Sequence, residues 1–200
     1  MEIVLATRNK KKVEEIRRIF ADMPLTILSL SDYPQCPETE EDQETFEGNA
    51  KKKAVEVCTC TGKTALADDS GLQVDALGGA PGVYSARYAG VSGDGMDAKN
   101  CEKLLREMQN TPDDKRTARF VCCMALAYPD GDVITFVGYA EGRINRKPRG
   151  NSGFGYDPVF VPEGETATFA EMSGKKKDQL SHRGKALEKL AEFLGSQPHL

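Results

Sequence analysis

Glu2-Ile3-Val4-Leu5-Ala6-Thr7-Arg8-Asn9-Lys10-Lys11-Lys12-Val13 decides the fold class, because it passes from one hydrophobic period to another without a break. Residues 3–6 are a short unbroken apolar run, the mark of a buried strand, whereas residues 9–21 put Val13, Ile16, Ile19 and Phe20 on one helical face. A strand leading straight into a helix leaves the helix N-terminus above the strand's carboxyl end, with Thr7 or Asn9 to cap it. Outward from there the alternation continues. Residues 25–30 predict a second strand, residues 31–42 a polar, proline-containing surface loop, and residues 44–61 a helix burying Phe46, Ala50, Ala54, Val57 and Cys58, ended by Gly62. Residues 64–67 read as a buried strand that delivers an acidic turn, Asp68-Asp69-Ser70-Gly71, and Gly78-Gly79-Ala80-Pro81-Gly82 marks an irregular loop. A helix over 97–108 buries Cys101, Leu104, Leu105 and Met108. The longest strand signals, 119–128 and 133–144, are joined by a hairpin turn at Pro129-Asp130-Gly131-Asp132, and a helix over 181–194 turns Leu187, Leu190, Ala191 and Leu194 inward. Interleaved strands and helices with one hairpin predict an α/β fold, a mixed twisted central sheet flanked by helices.

A chain of 200 residues buries a real core and fits one domain over 1–200. Its net charge of −4 argues against polymeric nucleic acid and against an anionic membrane surface, both of which reward a basic excess. The distribution is more informative than the sum. Three lysine triplets, at 10–12, 51–53 and 175–177, stand apart from acid concentrated in Glu38-Thr39-Glu40-Glu41-Asp42 and at Asp68-Asp69, a segregation suited to a phosphate ligand accompanied by a metal ion. The six cysteines form no C-x-x-C pair and lack histidine neighbours for a zinc site, so they read as buried, reduced thiols. No basic leader followed by an apolar stretch opens the sequence, and no segment approaches the roughly 20 apolar residues of a membrane span. A reducing, cytoplasmic setting is the expectation.

Four clusters carry candidate chemistry. In Thr7-Arg8-Asn9-Lys10-Lys11-Lys12, hydroxyl, amide, helix N–H groups and a lysine can donate to phosphate; Lys12 returns to the side of Asn9, and the alternative is a capped helix with a solvated basic turn. In Asp68-Asp69-Ser70-Gly71, adjacent carboxylates at the end of an apolar strand repel one another, and a hard divalent cation such as magnesium relieves that penalty. Glu40 or Glu41 could add a further carboxylate, while an ordinary Asx turn remains the alternative. Phe154-Gly155-Tyr156-Asp157 offers aromatic faces for a planar base, close backbone approach and an acceptor for a ring N–H. Lys177, His182 and Arg183 are donors that a 6-keto purine can accept and a 6-amino purine cannot match.

With these segments in order, the chain resembles the Ham1-like, or inosine triphosphate pyrophosphatase, family from Ile3 to about Leu194. The resemblance rests on Thr7, Asn9 and Lys12; on Phe46, Asn49, Ala50 and Lys53; and on Ala67-Asp68-Asp69-Ser70-Gly71-Leu72. It continues through Gly78-Gly79-Ala80-Pro81-Gly82, Ser85-Ala86-Arg87-Tyr88 and Phe154-Gly155-Tyr156-Asp157-Pro158 to Met172-Ser173, Lys177 and Ser181-His182-Arg183. Lys176 departs from it where the family often has an acid, and Tyr156 stands where some relatives carry tryptophan. The resemblance implies magnesium-dependent hydrolysis of ITP, dITP and XTP to the monophosphate and pyrophosphate, a homodimer, and two lobes with the site in the cleft between them. On that basis Asp69 and Lys53 are the expected catalytic residues, and Asp68, Asp69 and Glu40 or Glu41 the metal ligands. Residues 7–12, Ser70, Phe154, Gly155, Tyr156, Asp157, Lys177, His182 and Arg183 are the expected substrate-binding residues; Asn9, Lys12, Lys53 and the first helix's N-terminus would hold the triphosphate, Phe154 and Tyr156 the base, and Asp157, Lys177, His182 and Arg183 its edge. Two rivals share these residues: a nucleotide-binding regulator without turnover, and a house-cleaning pyrophosphatase for other nucleotides.

Overall fold

In the computed structural model, which describes residues 1–21 and 23–196 apart from the side chains of Lys11 and Glu15, the first strand is β1 (Glu2–Leu5). It pairs in parallel with β2 (Thr26–Ser29), Glu2 opposite Thr26 and Leu5 opposite Ser29. On its other side it pairs in parallel with β3 (Ala65–Val74), Val4 opposite Ala65. Parallel neighbours need a crossover, and helices α1 (Lys10–Ile19) and α2 (Phe46–Thr61) lie in those connections. Then follow α3 (Met96–Glu107), β4 (Thr117–Ala127), β5 (Val133–Ile144), β6 (Phe160–Pro162), α4 (Gly174–Leu180) and α5 (His182–Gly195). The sheet order is β2-β1-β3-β4-β5-β6. Because β5 and β6 run antiparallel, Gly142 opposite Pro162, the sheet is mixed, as the interleaved pattern with a hairpin predicts. Among the described residues no helix is long and apolar enough to cross a membrane.

The chain forms two compact units. The first comprises Met1–Asp69, Cys122–Val137 and the chain from Ala186; its core gathers Ile3, Leu5, Ile16, Phe20, Met124, Leu187 and Leu190. The helical face read from residues 9–21 is therefore the buried one. The second comprises Ser70–Val121 and Gly138–Lys185, with Leu72, Leu104, Met108, Phe120, Phe160 and Phe169 inside. Phe120 meets Phe160 edge-on at 4.7 Å and 61°, the arrangement ring quadrupoles prefer. Each such buried side chain contributes about 1.5–3 kcal/mol against its exposed state.

Two expectations are corrected. The acidic turn at residues 68–71 is not a turn: β3 continues through Asp68, Asp69, Ser70 and Gly71 to Val74. Extended backbone sends successive side chains to opposite faces, so the two aspartates meet different partners without a change of chain direction. The cysteines are not all free thiols either. Cys36 and Cys60 form a disulfide, with Cα atoms 5.9 Å apart, while Cys58, Cys101, Cys122 and Cys123 are buried and outside any disulfide. A pair separated by 24 residues is brought together by the return of the chain from the loop after β2 to the last turn of α2, which no local spacing announces. Two elements went unpredicted: α4 occupies a lysine-rich segment that shows no apolar periodicity, and β6 has only 3 residues. Gly184 lets α5 start close against α4, since a Cβ there would overlap the carbonyl of Asp178.

Candidate active site

In the first unit the site starts where β1 ends. Asn9 Oδ1 accepts from the Lys12 amide at 3.4 Å and Thr7 Oγ1 from the Asn9 amide at 3.1 Å, so these two residues together form the cap of α1. The first turn of α1 holds no acid, which leaves its lysines opposed to the helix dipole. Lys12 offsets this by reaching Asp68, with Nζ 3.0 and 2.9 Å from the two carboxylate oxygens. Lys10 is exposed, and the side chain of Lys11 lies outside the described part of the structure.

The other aspartate faces α2. Thr45 caps that helix through the Gly48 amide, which fixes the turn from which Asn49 and Lys53 project. Asn49 Nδ2 donates to Asp69 Oδ2 at 3.0 Å, and its Oδ1 accepts from the Gln43 amide at 3.0 Å. Lys53 Nζ lies 2.5 Å from Glu41, 3.6 Å from Asp69 and 3.2 Å from the Asp68 carbonyl. Of the two acids read as candidates, Glu41 faces Lys53, whereas Glu40 is exposed and its carbonyl accepts from Lys52 at 2.9 Å. Thr7, Arg8, Asn9, Lys12, Glu38, Thr39, Glu41, Lys53 and Asp68 line a polar cavity of about 180 Å³.

One ammonium serves several acids here, and the titration behaviour follows. Burial pushes the Asp69 carboxyl above its ordinary range; Lys53 opposes that shift and Glu41 reinforces it. Lys53 is itself penalised by burial, but the carboxylates of Asp69 and Glu41 outweigh the penalty and raise it above an ordinary lysine. Three carboxylates thus face two ammonium groups, an excess of one negative charge. A hard cation and a polyanion fit such a set, because the cation takes the acids and the phosphates take the lysines. Among the described residues no three of His, Cys, Asp and Glu converge closely enough to enclose an ion by themselves.

The second unit gathers the other cluster. Asp157 Oδ2 accepts from Lys177 Nζ at 2.6 Å and from the Phe154 amide at 2.8 Å. Gly153 is required beneath it, for a Cβ would collide with that oxygen. The Lys177 ammonium lies 4.7 Å from the centre of the Phe154 ring, and the Arg183 guanidinium 5.6 Å from it. Arg183 also donates to Ser70 Oγ at 3.3 Å. His182 is buried and stacks on Phe120, with centroids 4.7 Å apart. Tyr156 differs from the paired base slot read in the sequence. Its ring is buried in the core and its hydroxyl donates to the Ser85 carbonyl at 2.8 Å, so Phe154 alone of the two keeps a partly open face. Lys176, the residue that departs from the family pattern, is paired with Glu165 at 2.8 Å.

Sequence reasoning missed the supports. Asp97, in the first turn of α3, accepts from the Gly155 amide at 2.7 Å. Asn100, one turn on, accepts from the Ala89 amide at 2.7 Å and donates to the carbonyls of Ser85 and Ala86 at 3.4 and 3.1 Å. An acid at a helix N-terminus reads as a partner of the dipole, and a lone buried Asn announces nothing until its loop is placed. Only the position of Asn100 on the face of Cys101 and Leu104 carried a signal.

Comparison with known proteins covers nearly the whole chain. The family model described as the Ham1 family matches residues 3–193. A protein of Geobacter sulfurreducens described as dITP/XTP pyrophosphatase is 51% identical over 195 residues, 98% of this chain and 97% of its own. Another of that description, from Desulforamulus reducens, is 50% identical over 97% of this chain and 96% of its own. Among solved structures, a HAM1 protein from Coxiella burnetii superposes with a TM-score of 0.91 at 39% identity, covering 98% of this chain and 100% of that one. With both sequence and fold shared over nearly its full length, the chain belongs to the Ham1 family.

Proposed function

We propose that the protein hydrolyses non-canonical purine nucleoside triphosphates (ITP, dITP and XTP) at the α–β phosphoanhydride, releasing the monophosphate and pyrophosphate. The observation that carries the reading is the acid–lysine set of Asp68, Asp69, Glu41, Lys12 and Lys53 around a polar cavity. The names of the relatives support it from outside the geometry. Residues 1–200 act as one functional domain, in the cytoplasm where the nucleotide pool lies, and as the homodimer the family resemblance implies.

In this mechanism Lys12, Lys53, Arg8, Asn9, Thr7 and the N–H groups of α1 bind the triphosphate and stabilise charge on the departing pyrophosphate. Lys12 and Lys53 would exchange their carboxylate partners for phosphate oxygens, and Asp68, Asp69 and Glu41 would then have to close together, with phosphate and water, to hold a divalent cation. Magnesium, when bound there, supplies Lewis-acid polarisation of phosphate and a lowered pKa for a bound water. Asp69 orients the attacking water and takes its proton; Asn49 holds the second carboxylate oxygen and so fixes the orientation. Phe154 stacks on the base while Lys177, His182 and Arg183 supply donors to its edge, which favours a 6-keto purine. Asp157 keeps the Lys177 ammonium in place rather than reading the ring itself.

Incubation with magnesium and a panel of triphosphates tests this reading. Pyrophosphate should appear from dITP, ITP and XTP far faster than from ATP, GTP or dTTP, and EDTA should stop it. Release of orthophosphate, or a preference for the ordinary triphosphates, would count against it. Asp97 gives a second test, because its carboxylate fixes the backbone beside Phe154. Asp97→Ala should raise KM for dITP about threefold to tenfold, the worth of one charge-assisted hydrogen bond, with kcat little changed. Asp97→Asn keeps an acceptor and should restore most of the loss; equal KM values for all three proteins would remove Asp97 from the site.

A further inference from the structure

The disulfide has no part in the reaction, yet it ends at the site. Cys36 is buried, and its carbonyl accepts from the Arg8 guanidinium at 2.9 Å. Cys60 is exposed on the last turn of α2. Between Cys36 and α2 runs the acidic segment that brings Glu38, Thr39 and Glu41 to the cavity. The downstream half of that segment is held non-covalently, by Lys52 on Asp42 at 2.8 Å, by Lys53 on Glu41 at 2.5 Å and by Asn49 on the Gln43 amide. Its upstream end is fixed at Cys36 by the covalent bond, and the same residue holds Arg8.

We propose that Cys60 is a thiol–disulfide exchange site, taking a small-molecule or protein dithiol, and that the state of its bond to Cys36 sets how firmly the acidic segment and Arg8 are held at the cavity. The last link rests on the proposed function. A reductant thiolate attacks the sulfur of Cys60, the exposed residue of the pair; a Cys60–reductant disulfide forms, the Cys36–Cys60 bond breaks, and Cys36 leaves as a thiolate that takes up a proton. The second thiol of the reductant then attacks its own sulfur in the mixed disulfide and releases Cys60, so one dithiol is oxidised for each protein disulfide reduced. The oxidised dithiol reverses both steps. The remaining cysteines do not compete: all four are buried, and burial pushes the thiols of Cys101 to about 12 and Cys123 to about 11.

The full chain is prepared oxidised and in excess dithiothreitol, its state checked by thiol titration after denaturation. Amide hydrogen exchange over residues 33–45 and steady-state kinetics with dITP are read on both forms, and on Cys60→Ser. Reduction should speed exchange in that segment about tenfold and raise KM about threefold to tenfold. Cys60→Ser should match the reduced protein in either medium. Equal exchange in the two states, or a Cys60→Ser protein that still responds to dithiothreitol, overturns the exchange site. Faster exchange with an unchanged KM overturns its control of the cavity. Absence of turnover in both states sinks the proposed function instead, and the exchange data still decide the thiol site.

Discussion

Replacing Asp69 by Asn should lower kcat for dITP by about 10³-fold or more, because it removes the group proposed to orient and deprotonate the attacking water and to serve as one metal ligand. Nucleotide binding should fall much less, since Lys12, Arg8, Asn9 and the α1 N-terminus are untouched. The variant should also fold. Asn49 Nδ2 finds an amide oxygen where it found a carboxylate, and Lys53 keeps Glu41 at 2.5 Å. The sign of the stability change follows from titration. The folded carboxyl of Asp69 sits above its unfolded value, chiefly because it is buried, so the folded state favours the protonated form. Stability therefore declines as pH rises through the interval between the two values, and at neutral pH the ionised group is a net cost in the metal-free chain. Asn carries no such cost. In the presence of EDTA, Asp69→Asn should melt no lower than the parent, and its advantage should vanish in acid below the usual carboxylate range. Thermal unfolding at two pH values beside a turnover assay checks both halves. Near-normal turnover would strip Asp69 of its role, whereas lost turnover with a collapsed melting temperature would mean that the substitution broke the fold.

Burial and charge can be read along a sequence, whereas partners that only the fold brings together cannot. Periodicity reports burial, so the helical face of Val13, Ile16 and Phe20 and the strand over 133–144 were legible. Thr7, Arg8, Asn9, Lys12, Glu41, Lys53 and Asp68 do meet at one polar cavity, and the segregation of unlike charges along the chain had marked most of them. The continuation of β3 was hidden by the very residues that matter, since Asp-Asp-Ser-Gly carries turn propensity and only pairing within the sheet holds it extended. Glu41 was distinguishable from Glu40 only after the loop had been placed against Lys53. Asp97, Asn100 and the Cys36–Cys60 bond act across the chain on backbone groups or on each other, and no local pattern encodes such a partner. Tyr156 illustrates the converse error. Beside Phe154 it reads as a second stacking face, but its hydroxyl has a buried carbonyl to satisfy, and that draws the ring into the core.

Base selection should depend on Lys177 more than on any other residue of the second unit, and Lys177→Met should expose that dependence. The ammonium is held by Asp157 at 2.6 Å and lies over the Phe154 ring, so it is oriented before any base arrives. A donor fixed in this way rejects a base that offers another donor, because one of the two is left unpaired in a partly dry slot. Methionine retains much of the stem but neither charge nor donor. Preference for dITP over dATP in kcat/KM should fall by about 10²-fold, mostly through loss of the dITP reaction. The fold should suffer too, since Asp157 would keep the Phe154 amide but lose its cation while buried, a change of about 3 kcal/mol. Two further variants separate these effects. In Lys177→Met combined with Asp157→Asn the buried charge is gone, so stability should recover while selectivity does not. Lys177→Arg keeps the charge but not the compact ammonium, so stability should hold and selectivity should drop partway. Unchanged selectivity in the stable double variant would move base recognition away from Lys177 and onto His182 and Arg183.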